Sequence, residues 1–179
     1  MSFRYKFVNV IAACVMVNIP VLADEPSTPT KMIGKDSSKR AAELMQEEGF
    51  RAKIEVDEYG EIEIHSASGG SKFSIYFTAC DESVKNCEII LFSAGFDFEE
   101  PQDIDTTNEW NQSRHTKAFL DDEGDPYLQH SVNVLYGVSE ANFIDTLSWF
   151  TSQLAAFEDH IGWNDEDESS PDAEKSNPI

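Results

Sequence analysis

Cys80 and Cys87 stand on either side of a polar stretch, Asp81 to Asn86. Thiols at this spacing can close a short loop as a disulfide or supply half of a tetrahedral zinc site. Zinc would need two further Cys or His ligands, and His65, His115, His130 and His160 fall at no ligand spacing relative to the pair. A disulfide between Cys80 and Cys87, closing a hairpin, is the expected chemistry, and no metal site is expected. Asp121-Asp122-Glu123-Gly124-Asp125 offers carboxylate oxygens of the kind a hard cation wants. An EF-hand loop carries a glycine at its sixth position, where this chain has Pro126, so the run reads as a solvated turn, with a weak cation site as the alternative. Asn108-Glu109-Trp110-Asn111 sets amides beside an indole. Asn108, Trp110 and Asn111 form either a structural corner, with Trp110 in the core and Asn111 tied to backbone, or a ligand-facing one. His130 shares strand parity with Leu128, Val132 and Val134 and reads as a core or edge residue rather than a ligand.

The chain lacks Gly-x-Ser-x-Gly, Ser-x-x-Lys and any glycine-rich phosphate loop after a strand, so no catalytic residue and no cofactor is assigned. Paired acids identify nothing in a chain with 34 Asp+Glu against 13 Lys+Arg and a net charge of −21. That balance also removes the basic face that nucleic acid or an anionic membrane would require. The enzymatic alternative is a carboxylate-based hydrolase with its site between Trp110 and Asp125. A non-enzymatic module that binds a polypeptide, or a second copy of itself, is the reading preferred.

The elements that must position these residues follow from punctuation and periodicity. Arg4 and Lys6, an apolar run from Phe7 to Val17, and Val21-Leu22-Ala23 read as a signal peptide cut after Ala23, giving a periplasmic or secreted protein. Acylation at Cys14 is the alternative. No membrane insertion of the mature chain is expected. Residues 24–35 are expected to be a flexible linker, 36–163 the folded domain, and 164–179 a disordered acidic tail. Within the domain, a short helix ends near Gly49, and Phe50 to Val56 alternates as a strand with one wet face. Strands around Ile62–Ile64 and Phe73–Ala79 follow. Glu88 to Phe96 is apolar on both sides, the pattern of a central strand covered on both faces. A short helix around Trp110 precedes strands at Thr116–Leu120 and Tyr127–Leu135. Ser139 then caps a long helix with Phe143, Leu147, Phe150, Leu154, Phe157 and Ile161 on one stripe. The order α-β-β-β-β-α-β-β-α predicts an α+β fold with an antiparallel sheet. One face, with Phe73, Ile75 and Phe77, should meet the long helix. The opposite face should carry Tyr76, Ile90, Phe92 and Phe96 as an association surface.

Cys80, Cys87, Asn108-Glu-Trp-Asn111, Lys117-Ala-Phe-Leu-Asp121 with Gly124-Asp-Pro126, and Gly137-Val138 ahead of the last helix together resemble the YbjN-domain family of bacterial sensory transduction regulators. The resemblance spans about Lys39 to Ile161. It implies a fold similar to type III secretion chaperones, small α+β dimers that bind other polypeptides, and therefore a protein-binding role. It implies no catalytic residues. The signal segment and acidic tail depart from the cytoplasmic members of that family.

Overall fold

The computed structural model of the protein describes residues 31–83 and 86–163. The expected signal segment, most of the expected linker and the acidic tail lie outside them. In chain order the elements are β1 (Met32–Ile33), α1 (Ser38–Glu47), β2 (Lys53–Val56), β3 (Ile62–Ser68), β4 (Ser71–Thr78), β5 (Ile89–Gly95), α2 (Ile104–Ser113), β6 (Lys117–Leu120), β7 (Pro126–Asn133), β8 (Val138–Ser139) and α3 (Glu140–Ile161). An antiparallel six-stranded sheet runs β2-β3-β4-β5-β7-β6, which is the α+β architecture expected.

The short pairing of β1 with β8 adds an element the sequence reading assigned to the linker. Ile33 is fully buried and pins the chain entry beneath α3, so order begins before residue 36. A two-residue strand carries too short an alternation to be seen against a Pro/Ser/Thr-rich background.

The side chain of Ser139 caps α3 by accepting from the backbone N–H of Asn142 at 3.0 Å. The whole stripe from Phe143 to Ile161 is buried. It lies on a sheet face formed by Ile64, Phe73, Ile75, Phe77, Ile90, Phe92, Ala94 and Leu128, all buried. Register explains which residues share that face. Ile75 is opposite Phe92 and Phe77 opposite Ile90, so the even positions of β5 point the same way as the odd positions of β4. Phe92 sits 6.1 Å from Phe143 and 5.3 Å from Phe150 between ring centroids, while Phe96 packs on Phe157 at 5.8 Å. Ile90, Phe92 and Phe96 are thus core beneath α3, correcting their expected place on the opposite face; only Tyr76 lies there. Parity within one strand says nothing of parity in its neighbour until the pairing is known.

Two further expectations change. β5 is central, yet its second face, with Ile89 and Leu91 half-buried, has no helix over it among the described residues: α1 and α2 each contact α3, which lies on the other side of the sheet. The strand from Phe50 shortens to Lys53–Val56, and its inward face is not buried, with Ile54 at 41% and Val56 at 61% exposure. As the edge strand it lies beyond the reach of the α3 stripe.

Candidate functional site

The uncovered face reads as rows across the sheet. Lys53, His65, Ser74, Ser93, Gln129 and Lys117 are successive cross-strand neighbours from one edge to the other. The next row toward the β4–β5 connection is Glu55, Glu63, Tyr76, Leu91 and Ser131. On the other side stand Ala67 beside Lys72, and Gly95, Tyr127 and Phe119 in line. Small residues at the centre and long ones at the flanks make the face concave. A hollow of about 530 Å³ opens over Ser74, Ser93 and Gly95, walled by Lys53, His65 and Tyr127. A second of about 560 Å³ adjoins it, bounded by Arg51, Lys53, His65, Lys72 and the β3–β4 turn, with no carboxylate in its lining.

Gly95 shapes this surface through close approach: a Cβ there would stand 2.6 Å from Cε1 of Tyr127. Its absence lets the Tyr127 ring lie across β5 while stacking on Phe119 at 5.3 Å and 17°. The Lys117 ammonium sits 4.4 Å from the Phe119 ring centre. At the other flank, Glu55 takes Lys53 and, at 3.2 Å, Nε2 of His65. The Lys53 hydrogen bond is the main reason the Glu55 carboxyl titrates below its ordinary value, with His65 adding to it. Tyr76 is raised, first by burial and then by its hydrogen bond to Glu63. Arg51 and Lys72 are exposed and make no ion pair among the described residues. In a chain of net charge −21, this flank is a local excess of positive charge.

Nδ1 of His65 is 3.1 Å from Oγ of Ser74 while its Nε2 faces Glu55, an order that resembles a hydroxyl, base and orienting acid. Acyl transfer also needs donors aimed at the developing oxyanion. Ser74 lies inside a strand paired on both sides, with the flanking backbone committed to the β3 and β5 ladders, and the hollow is open to water. The arrangement orders the surface; it does not assemble that machinery.

The residues singled out from sequence lie elsewhere. Trp110 is 1% exposed, donates from Nε1 to Oγ1 of Thr116 at 2.9 Å and meets Phe157 edge-on at 5.0 Å. Asn111 donates to the Ala118 carbonyl and accepts from the Ala118 N–H, both at 2.8 Å, so the corner is structural. Asn108 is exposed on α2. Asp121 accepts from the N–H groups of Glu123 and Asp125 within the turn, and Asp125 accepts from that of Phe98 in the β5–α2 connection, so both carboxylates are engaged by backbone donors. At Gly124, φ is +89° and the position of a Cβ lies 2.5 Å from Cβ of Pro101, which fixes glycine there. His130 lies on the helix-covered side, against Trp149 at 4.8 Å, and burial lowers its pKa. Cys80 and Cys87 stand at disulfide distance between β4 and β5. No helix among the described residues is long and apolar enough to cross a membrane.

A family model described as "Putative bacterial sensory transduction regulator" matches residues 38–163. The chain belongs to the YbjN family. The crystal structure of YbjN from E. coli, there called "a putative transcription regulator", aligns with a TM-score of 0.51 at 18% identity, covering 72% of this chain and 91% of that one. An uncharacterized protein from Methanothermobacter thermautotrophicus aligns at 0.48 and 12% identity, covering 70% of this chain and 99% of that one. No curated protein sequence matches. At such identity the YbjN structure supports the fold. The site rests on the geometry of this chain.

Sequence reasoning missed Lys53, His65, Lys72, Ser74, Ser93, Gly95, Lys117, Phe119 and Tyr127. The available signal was the polar half of each alternation, with Ser93 and Gly95 interrupting an otherwise apolar strand.

Proposed function

We propose that the protein is a non-enzymatic, exported regulatory module that binds a polypeptide across the uncovered face of its six-stranded sheet. The observation that carries this reading is that face itself: a concave surface with Tyr76 exposed, Phe119 stacked on Tyr127, Ile89 and Leu91 half-buried, and lysines at the margins. Aromatic rings with a polar tip and a positive rim are the composition of recognition surfaces. A regulator acts by binding, and the resemblance to secretion chaperones points to a polypeptide as what is bound. Export rests on the N-terminal segment, and a Cys80–Cys87 disulfide suits an oxidising compartment.

The test is affinity capture from periplasmic extract with the full chain and with a Tyr76→Ser/Tyr127→Ser variant, with size measurement to detect self-association. The unaltered chain is expected to retain a partner, or a second copy, that the variant loses while melting at the same temperature. Equal capture by both, or association by neither, removes the proposal.

A further inference from the structure

Arg51, Lys53, His65 and Lys72 converge on one hollow of about 560 Å³ with no acidic residue in its lining. Arg51 and Lys72 have no ion-pair partner among the described residues. Residues 164–179, outside the described residues, carry Asp165, Glu166, Asp167, Glu168, Asp172 and Glu174 against Lys175 alone. We propose that this acidic segment occupies the basic flank of the uncovered sheet face in cis and competes there with the bound polypeptide; this rests on the reading of that face as the binding surface.

Chain geometry brings the two together. Near the end of α3, the Glu158 carboxyl lies beside Ser71, the neighbour of Lys72. Trp163 packs on Phe96 and Phe98 at 5.3 and 5.2 Å between ring centroids, and Phe96 follows Gly95. The segment therefore departs from the end of the sheet where Lys72 and Gly95 stand. Its four consecutive acids begin two positions after Trp163. Passing round a sheet means covering about 10 Å, the spacing of packed layers, whereas sixteen extended residues span up to about 50 Å. Tethering sets an effective concentration in the millimolar range, so an attraction weak in trans is enough to populate the docked form. The attraction is between exposed charges and is screened by salt.

The experiment uses the full chain and a full-chain variant with the acidic run neutralised, Asp165→Asn/Glu166→Gln/Asp167→Asn/Glu168→Gln. A synthetic peptide of residues 164–179 is titrated into each at low salt, followed by amide NMR shifts. The neutralised chain is expected to bind the peptide at least tenfold more tightly than the unaltered chain. Shifts should centre on Arg51, Lys72 and Gly95 and collapse at 0.5 M salt, where exposed charge attraction fades. Adding Arg51→Glu/Lys72→Glu to the neutralised chain should abolish binding; both residues are exposed, and an unchanged melting temperature confirms the fold. Binding to neither chain, equal binding to both, or binding that survives the charge reversal overturns the inference. Capture that depends on Tyr76 and Tyr127 without peptide binding overturns the tail inference and leaves the binding face standing. Peptide binding without capture does the reverse.

Discussion

The two faces of the six-stranded sheet are made by the same strands, residue by residue in alternation, and they have opposite fates. Beneath α3, Ile64, Phe73, Ile75, Ile90, Phe92 and Leu128 are at most 2% exposed. One residue along each strand, Lys53, His65, Lys72, Tyr76 and Tyr127 look outward over hydroxyls and a glycine. The contrast teaches that covering a face is decided by whether apolar parity is continuous across neighbouring strands. On the helix side it is. On the other side the apolar positions fall into two small groups, Ile89 with Leu91 and Tyr127 with Phe119, separated by the row of Ser93, Gln129 and Lys117, and are too sparse to hold a helix.

The most severe way to break this contrast is to move charge to the wrong face. Phe92→Glu is expected to prevent folding, and Phe92→Ala to lower unfolding stability by about 3–5 kcal/mol, measured by urea denaturation; a folded Phe92→Glu monomer would return this residue to the surface. Next in size is the α2 corner. Asn111→Ala deprives the Ala118 N–H and carbonyl of their side-chain partner and should cost about 2 kcal/mol, whereas a ligand-facing asparagine would cost little in the free protein.

Within the covered side, one polar group should act in the opposite sense. Glu158 is buried, its Oε1 has no hydrogen-bond partner among the described residues, and burial raises its pKa. Because the folded value is raised above the unfolded one, the penalty of charging Glu158 is present at high pH and disappears as pH falls below the unfolded value. Glu158→Gln should therefore stabilise by about 1 kcal/mol at neutral pH, with the gain shrinking on acidification. A flat difference across pH in denaturation midpoints would show that charge is not the cause. The smallest effect belongs to the open face: Tyr76→Ser and Tyr127→Ser should each change stability by about 0.5 kcal/mol or less, and a larger loss would make these rings part of the core.

Strong periodicity made much of the fold legible. The α3 stripe, its Ser139 cap and the order of the six main strands could be read because each rests on local repetition. The Trp110 and Asn111 corner was readable as structural because a large indole seeks burial and an amide can imitate backbone. What could not be read was relational. The assignment of Ile90, Phe92 and Phe96 needed the β4–β5 register, and the hollow over Ser74, Ser93 and Gly95 exists only once four strands lie side by side. Exposure of Ile54 and Val56 likewise depends on where α3 stops.

Asn111 also bears on the extension of this sheet. Its amide makes the two hydrogen bonds to Ala118 that a seventh strand alongside β6 would make, so that margin is sealed by a side chain. Just ahead of β2 the Gln46 amide donates to the Ala52 carbonyl at 2.9 Å, and Lys53 and Glu55 place charges along the strand itself. A strand added at β6 would first have to displace the Asn111 amide from Ala118.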